Sequence, residues 1–268
     1  MNSLIHSVIF DWAGTTIDFG SMAPTLALCE SFHRYGINLA IDDARGPMGI
    51  KKDEHVRALL TAPAVAMQFE QVHGRKVLES DALKIYASLE DTLDEIVMTR
   101  LELIPGHWDF VNWLRQRNVK IGSTTGYTRQ TMSLILSEVA RVGYSPDCCI
   151  TPSESRGGRP APWMLWQNLE QLGCDAPWKA VKFGDTESDI EEGRNAGTWS
   201  IGYSCSGNMM GLDEADWKRL PQDERTFLQH RAEQKLLAAG AHLVVEGPWM
   251  GQEAILEMER RIELGLRP

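Results

Sequence analysis

The sequence predicts an α/β protein in which a doubly wound parallel-sheet core carries an inserted all-helical cap domain. Three observations support this prediction. From Lys120 onward, short apolar runs alternate with helical patterns, as in consecutive βαβ units. The first apolar run stands alone near the start of the chain and ends in a carboxylate. Between that run and Leu103 the pattern is helical, with no convincing strand.

Six short apolar runs are the predicted strands of a Rossmann-like sheet. They are Ser7–Phe10, Lys120–Ser123, Cys148–Ile150, Ala180–Phe183, Trp199–Gly202 and His242–Val245. The predicted core helices are Gly106–Arg117, Arg129–Val142, Pro162–Leu172, Glu187–Ala196, Gln222–Ala239 and Gln252–Leu264. The first four of these helices would serve as crossovers between parallel strands.

The segment after the first strand has a different pattern. Its predicted helices are Pro24–Tyr35, Asp53–Leu60 and Asp81–Leu101, the last with apolar residues at helical spacing. The abrupt change predicts a cap domain over residues 21–103 and a core of residues 1–20 and 104–268. Hinges are expected near Phe19–Ala23 and Leu103–Gly106. The alternative, in which these helices pack into one continuous domain, stays open.

Composition and charge narrow the class of protein. With 268 residues, 43% of them hydrophobic, the chain is long enough to bury a full core. The formal net charge is -10, and no long basic stretch offsets it, which argues against extended nucleic-acid binding. An anionic substrate would need a local cluster of Lys, Arg and backbone N–H groups.

Cysteine usage and the absence of a targeting segment predict a cytoplasmic protein. The five cysteines are odd in number, include an adjacent pair and form no Cys-x-x-Cys, which is typical of reduced thiols. The N-terminus has no signal-peptide pattern, and no apolar stretch is long enough to span a bilayer. We therefore expect no membrane partner.

The first predicted strand ends in a carboxylate followed by a small turn. Val8 to Phe10 are apolar, and Asp11-Trp12-Ala13-Gly14 follows. A buried parallel strand of this kind delivers Asp11 to the carboxyl edge of the sheet, where open α/β folds bind ligands. Taken alone, Asp11 could equally cap or close a turn.

Two later segments offer groups that can bind an anion. Ile121–Gly126 ends a predicted strand in hydroxyl-bearing residues, a pattern that turns also produce. Gly158-Arg159-Pro160-Ala161-Pro162 places Arg159 just before a helix whose first turn suits Pro162. The planar fork of Arg159 is well suited to a phosphoryl group. The alternative is a solvated surface arginine.

A second pair of carboxylates follows the fourth predicted strand. Val181–Asp189 is an apolar strand followed by Gly-Asp-x-x-x-Asp, which places Asp185 at the strand end and Asp189 in the first turn of the next helix. Such groups can bind Mg²⁺, which takes one or two protein carboxylates and keeps waters and phosphate oxygens. Helix capping by Asp185 and dipole compensation by Asp189 are the alternative explanation.

In order and spacing, these four segments resemble the haloacid dehalogenase superfamily along the whole core. The resemblance implies that Asp11 attacks phosphorus and that Thr125 and Arg159 bind the phosphoryl group. The Mg²⁺ ligands that it implies are Asp11, Asp185 and the backbone carbonyl of Ala13, with Asp189 in support.

Ala13 departs from the pattern of most phosphatases in this superfamily, which carry a second Asp there as general acid and base. Cleavage of a P–O bond profits from such an acid. Cleavage of a P–C bond instead leaves a carbanion, which needs an electron sink. A lysine amine that condenses with a carbonyl β to phosphorus supplies that sink as an iminium ion.

A lysine-containing segment of the predicted cap fits this chemistry. Pro47–Arg57, together with Asp11–Thr16 and Gly122–Arg129, resembles the phosphonoacetaldehyde hydrolase family, also called phosphonatases. The resemblance covers nearly all the chain and weakens after about Gly207. In that family a cap lysine, three residues after a Gly and three before a His, forms a Schiff base.

Lys52 is the predicted Schiff-base residue, because Gly49 and His55 flank it at the family's spacing. Lys51 is the rival, since helical periodicity places both lysines within a turn of His55. Both could also belong to a solvated charged face. The supporting residues that we predict are His55, Gly49, Met48 and Tyr127, although packing explains Met48 and Tyr127 equally well.

The resemblance implies hydrolysis of phosphonoacetaldehyde to acetaldehyde and phosphate, through the Schiff base and an aspartyl phosphate. It also implies a homodimer through the caps. One alternative is a generic Mg²⁺-dependent phosphatase or a sugar-phosphate mutase on the same core, and Ala13 argues against it. Another is a non-catalytic phosphate-binding protein. The residues that argue against that are Asp11, Thr125, Arg159 and Asp185.

Overall fold

The computed structural model describes residues 3–45 and 52–268. They form two compact units. One takes in the described residues of Met1–Met22 together with Leu101–Pro268, and the other takes in those of Ala23–Arg100. The larger unit therefore contains the beginning and the end of the chain, and the smaller unit is an insertion between them.

The larger unit contains a six-stranded parallel sheet in the order β3-β2-β1-β4-β5-β6. Its strands are β1 (Ser7–Phe10), β2 (Lys120–Thr124), β3 (Cys148–Ile150), β4 (Ala180–Gly184), β5 (Trp199–Tyr203) and β6 (Leu243–Val245). β1 is fully buried, as its continuous apolar run predicts. Phe10 pairs with Ser123 on one side and with Phe183 on the other, so three strands end at one level. The predicted doubly wound parallel sheet is confirmed.

In the described residues of the smaller unit, all of the regular secondary structure is helical. Its helices are α1 (Met22–His33, which begins just before the unit), α2 (Ile41–Arg45), α3 (Lys52–Thr61), α4 (Pro63–His73) and α5 (Glu79–Val97). Two of these helices were not predicted. α2 has only five residues, and α4 buries Val65 and Phe69 and so shows little periodicity. The helix predicted to reach Leu101 ends at Val97, because the amides of Thr99 and Arg100 fold back in short turns.

In the described part of the larger unit, seven α-helices accompany the sheet. They are α6 (His107–Gln116), α7 (Arg129–Arg141), α8 (Trp163–Leu172), α9 (Glu187–Ala196), α10 (Glu214–Arg219), α11 (Gln222–Ala238) and α12 (Gly251–Glu263). Six of them match predicted helices to within one or two residues at each end. α10 was not predicted. In the described parts of the chain, no helix combines the length and the apolar character needed to cross a membrane.

His107 is a titratable side chain in the apolar core. It is fully buried between Phe10 and Tyr144, with ring centroids 4.9 and 5.1 Å away. Neither ring nitrogen has a hydrogen-bond partner among the described residues. Burial lowers the pKa of His107 from 6.5 to about 3. The folded protein therefore keeps this imidazole neutral between pH 6.5 and about 3, where the unfolded chain protonates it.

Acid is expected to destabilise the fold through His107. Between pH 6.5 and about 3 the unfolded chain binds a proton that the folded chain does not, so stability falls as the pH falls, by up to about 1.4 kcal/mol per pH unit. His107→Leu should therefore lose about 2 kcal/mol less than the wild type in free energy of unfolding between pH 7.5 and 5. Urea denaturation at both pH values measures this.

The matched control for this prediction is His230→Leu, because His230 is exposed on α11. It should keep the wild-type dependence on pH. If His107→Leu and His230→Leu both lost stability in parallel with the wild type, His107 would not be the acid-sensitive group.

Candidate active site

The strand order of the sheet reverses at β1. β1 leads to β2 and β3 on one side, and β4 to β6 lie on the other. Open α/β sheets bind ligands at the carboxyl ends of the strands at this point. The backbone amide of Asp11 donates to the carbonyl of Phe183 across 3.0 Å, which ties the residue after β1 to β4. Asp11 and Asp185 therefore follow adjacent strands at one edge.

The turn after Asp11 is fixed by its own hydrogen bonds. The amides of Thr15, Thr16 and Ile17 all donate to the carbonyl of Trp12, and the Thr16 hydroxyl donates to the carbonyl of Asp11 across 2.6 Å. Ala13 lies half-buried in this turn. Such a closed turn holds its backbone carbonyls in place without help from the Ala13 side chain.

Gly14 is required where the turn approaches β4. Its φ is +80°, and a Cβ atom there would lie 2.3 Å from Oδ2 of Asp185. On the other side, a Cβ at Gly207 would lie 2.4 Å from Cβ of Asp185. Asp185 is thus enclosed between two glycines. Its Oδ1 accepts from the Thr15 hydroxyl at 3.3 Å, and its Oδ2 accepts from the amide of Asn208 at 2.7 Å.

Arg159 is the cation closest to the predicted nucleophile. Nη2 donates to Oδ1 of Asp11 and, across 2.8 Å, to the carbonyl of Thr124, while Nη1 lies 2.8 Å from Oδ1 of Asp189. Burial alone would lower the pKa of Arg159, but the carboxylates of Asp11, Asp189 and Glu192 more than offset it and raise that pKa. The guanidinium is therefore fixed and charged beside Asp11.

Three buried carboxylates form a compact acidic cluster. Oxygens of Asp11, Asp185 and Asp189 lie within 4.8 Å of one another. Burial raises the pKa of Asp11, although Arg159 opposes it, and burial together with the charges of Asp11 and Asp189 raises that of Asp185. The pKa of Asp189 is lowered despite burial, because Arg159 and Lys182 lie beside it. Such crowding of hard oxygen ligands suits a divalent cation such as Mg²⁺.

Thr125 and Tyr127 lie where β2 ends. The backbone amide of Tyr127 donates to the Thr125 hydroxyl across 3.1 Å, and both residues are buried. The pKa of Tyr127 is raised well above 10, first by burial and then by the charges of Asp18, Asp11 and Asp185. Tyr127 therefore keeps its phenol proton.

Lys52 and His55 belong to the smaller unit. Lys52 is the first residue of α3, and its Nζ atom is buried. Burial lowers the pKa of this amine below 10.5, against the opposing charges of Glu90 and Asp94. Nε2 of His55 donates to the carbonyl of Ala44 across 2.9 Å, and burial lowers the pKa of His55. The predicted residues Gly49 and Met48, and the rival Lys51, lie outside the described residues.

The structure adds residues that the sequence analysis did not select. Lys182 and Glu192 are fully buried behind Asp189, within reach of Arg159. Lys182 lies within the apolar run of β4. A lysine inside a buried strand was the only sequence signal that could have identified it. Ser206 and Asn208 hold the turn and Asp185 in place: the Ser206 hydroxyl donates to the carbonyl of Gly14 across 2.9 Å, and the amide of Asn208 donates to Asp185.

Comparisons with known proteins identify the family of the chain. A family model for haloacid dehalogenase-like hydrolases matches residues 5–197. Phosphonoacetaldehyde hydrolase of Paraburkholderia xenovorans (strain LB400) is 39% identical over 264 residues, 98% of this chain and 99% of the relative. The enzyme of the same name from Bacillus cereus (strain AH820) is 37% identical over 260 residues, 97% and 98% of the two chains.

Solved structures give the same result. A phosphonoacetaldehyde hydrolase-like protein from Oleispira antarctica superposes with a TM-score of 0.91 at 36% identity, over 99% of this chain and 96% of that chain. A putative β-phosphoglucomutase from Thermotoga maritima superposes with a TM-score of 0.61 at 20% identity, over 94% of this chain and 99% of that chain. That second likeness concerns the fold alone.

Proposed function

The chain belongs to the phosphonoacetaldehyde hydrolases of the haloacid dehalogenase-like hydrolase family, and from this membership we propose that it hydrolyses the P–C bond of phosphonoacetaldehyde. The products are acetaldehyde and phosphate. The observation that carries the proposal is the buried amine of Lys52, whose lowered pKa favours the neutral form that condenses with aldehydes. Ala13, where a phosphatase would carry an acid, supports it.

The first step forms the electron sink. The neutral amine of Lys52 adds to the aldehyde carbon, and loss of water gives an imine, which becomes an iminium ion on protonation. His55 follows Lys52 by about one helical turn and is proposed to carry protons during this step. Its Nε2 donates to a backbone carbonyl, which leaves Nδ1 as the basic atom in the neutral ring.

The second step breaks the P–C bond. A carboxylate oxygen of Asp11 attacks phosphorus, and the electron pair of the P–C bond moves into the iminium group to give an enamine and an aspartyl phosphate. Arg159, fixed beside Asp11, neutralises charge that builds up on the phosphoryl oxygens. The Thr125 hydroxyl is proposed to donate to one of those oxygens. No proton donor at position 13 is needed, because the carbon leaving group is stabilised as the enamine.

The remaining steps release both products. Protonation of the enamine carbon and hydrolysis of the imine free acetaldehyde and Lys52, and water cleaves the aspartyl phosphate. Met48, Gly49 and Tyr127 remain proposed supporting residues of the reaction.

The acidic cluster is proposed to hold Mg²⁺. Asp11, Asp185 and the backbone carbonyl of Ala13 would be its protein ligands, and Asp189 would support them. Among the described residues Asp11, Asp185 and Asp189 are the cluster suited to a metal, and the two cations beside it do not balance its charge. When bound, the ion would neutralise like charges and orient the phosphoryl group for in-line attack.

Removal of Mg²⁺ or of Asp185 is expected to stop turnover. Exhaustive chelation should reduce activity to background, and Asp185→Asn should lower kcat at least about 100-fold or raise the Mg²⁺ requirement, because few protein carboxylates hold the ion. A magnesium titration of both proteins measures this. The control is Asp147→Asn. Asp147 directly precedes β3 and accepts from the amide of Ile121 near the start of β2, so it lies at the opposite end of these strands from the acidic cluster. Full activity after chelation would contradict the metal proposal.

One assay separates this function from its alternatives. Release of acetaldehyde and of phosphate is measured with phosphonoacetaldehyde, beside p-nitrophenyl phosphate and a sugar phosphate as substrates. The proposal expects equal amounts of both products from phosphonoacetaldehyde and far slower turnover of the phosphate esters. Faster hydrolysis or isomerisation of the esters would favour a phosphatase or a mutase.

We also propose that the inserted unit is the cap domain, that the protein acts in the cytoplasm, and that it dimerises through its caps.

The dimer is supported by exposed apolar side chains on α4 and α5, namely Met67, Val72 and Leu83. Sedimentation of the wild type and of a Met67→Glu/Val72→Glu variant tests it, with a monomeric wild type as the contradicting result.

A further inference from the structure

A fully buried ion network lies behind the nucleophile. Lys182 and Glu192 have no solvent exposure at all, and Lys182 comes from the middle of a central strand. Nζ of Lys182 lies 3.1 Å from Oδ1 of Asp189 and 3.3 Å from Oε2 of Glu192. Buried ion pairs of this kind contribute little net stability, since desolvation costs about as much as the attraction returns. A role in stability alone therefore gives a weak account of them.

Arg159 faces three carboxylates at once. Its Nη2 meets Asp11, its Nη1 lies 2.8 Å from Asp189, and its Nε lies 3.3 Å from Oε2 of Glu192. Lys182 contacts two of the same three carboxylates, and it does so through the same oxygens, Oδ1 of Asp189 and Oε2 of Glu192. The geometry points to Lys182 as a positioning residue that counterbalances Asp189 and Glu192, so that Arg159 stays turned toward Asp11 and the phosphoryl group. This inference rests on the proposed function.

Thr124 joins the two cations. Its hydroxyl accepts from Nζ of Lys182 across 2.7 Å and donates to Oε2 of Glu192 across 2.8 Å, while its carbonyl accepts from Nη2 of Arg159. One residue at the end of β2 therefore fixes both Lys182 and Arg159. A Cβ atom at Gly193 would lie 3.0 Å from Cβ of Lys182, so α9 packs directly on this lysine. The network is closely packed and has little freedom to rearrange.

Removal of the Lys182 charge changes the balance around Arg159. In Lys182→Met, Arg159 is the one cation left beside Asp189 and Glu192 among the residues that the structure describes, and it is drawn away from Asp11. In the double variant Lys182→Met/Glu192→Gln, one negative charge is removed as well, so Arg159 faces only the carboxylates of Asp11 and Asp189 and is drawn less strongly away from Asp11. The two substitutions are therefore expected to compensate each other in activity.

The test compares wild type, both variants and the exposed-lysine control Lys120→Met. We expect Lys182→Met to lower kcat for phosphonoacetaldehyde at least tenfold. The kcat of the double variant should be at least fivefold higher than that of Lys182→Met. Borohydride trapping of the substrate imine should be as fast in Lys182→Met as in the wild type, because Lys182 acts on phosphoryl transfer. A loss of folding alone would reduce trapping and turnover together. Thermal denaturation shows which variants are folded.

Two results would overturn the inference: a folded Lys182→Met with kcat within twofold of wild type, or a double variant no more active than Lys182→Met. If Lys182→Met does not fold, Thr124→Val replaces it, since it keeps both ions and should lower kcat at least threefold with trapping intact. A wild type that turns over only p-nitrophenyl phosphate would refute the proposed function instead. The same order of variants would then be expected on that substrate, because Arg159 serves the phosphoryl group in both reactions.

Discussion

Asp11→Asn is expected to abolish turnover, with kcat reduced at least about 10³-fold, while the protein stays folded. An amide oxygen keeps the size of the side chain but is too weak a nucleophile to attack phosphorus. The amide can still accept the hydrogen bond from Arg159. Loss of one buried negative charge also reduces repulsion within the cluster of Asp11, Asp185 and Asp189. The melting temperature should therefore change by only a few degrees.

The measurement is single-turnover release of phosphate from freshly purified variant, with intact mass to detect deamidation back to Asp. The matched control is Asp175→Asn, which removes an exposed carboxylate paired with Lys179 and should be fully active. Near-normal activity in Asp11→Asn of verified mass would rule out Asp11 as the nucleophile. A ³²P-labelled aspartyl phosphate on Asp11, trapped by acid quench of the wild type, would give the complementary positive result.

The core was predictable because its signals are local. β1 and β3 have the predicted bounds, since each is a short apolar run ended by a turn. α2, α4 and α10 were missed for the opposite reason. They are short or bury few residues, so tertiary contacts rather than a periodic pattern stabilise them.

The residues of the candidate site divide in the same way, into those with a local sequence signal and those without one. Asp11, Asp185 and Asp189 follow strand ends or open a helix, and parallel topology brings such positions to one edge of the sheet. Lys182 follows no such rule. In sequence it interrupts an apolar strand, and only the pairing of β4 with β1 and the packing of α9 place its amine behind Asp189. A buried charge network depends on contacts distant in sequence, which a pattern of neighbouring residues does not contain.

Lys52 carries the prediction that most sharply separates a phosphonatase from a phosphatase. Borohydride added with phosphonoacetaldehyde should reduce an imine on Lys52 and inactivate the enzyme irreversibly. Because burial lowers the pKa of Lys52, the neutral amine is present at a lower pH than in an ordinary lysine. Inactivation should therefore remain fast at pH values below 10.5 at which surface lysines stay protonated.

Substitution of Lys52 distinguishes a covalent role from an electrostatic one. Lys52→Arg should lose activity as completely as Lys52→Ala, by at least about 10³-fold, because a guanidinium keeps the charge but does not form the imine. If Lys52 only attracted the phosphonate electrostatically, the arginine variant would keep much of the activity. Lys51→Arg is the matched control and should stay active.

Peptide mapping of the reduced adduct decides between the two lysines. A mass increase on the peptide that contains Lys52, absent from Lys52→Arg and present in Lys51→Arg, is the expected result. An adduct on Lys51, or no adduct in an enzyme that turns over, would contradict the imine mechanism. It would also remove the chemical reason for Ala13, since the electron sink is what makes an acid at that position unnecessary. The explanation of Ala13 therefore depends on the covalent role of Lys52.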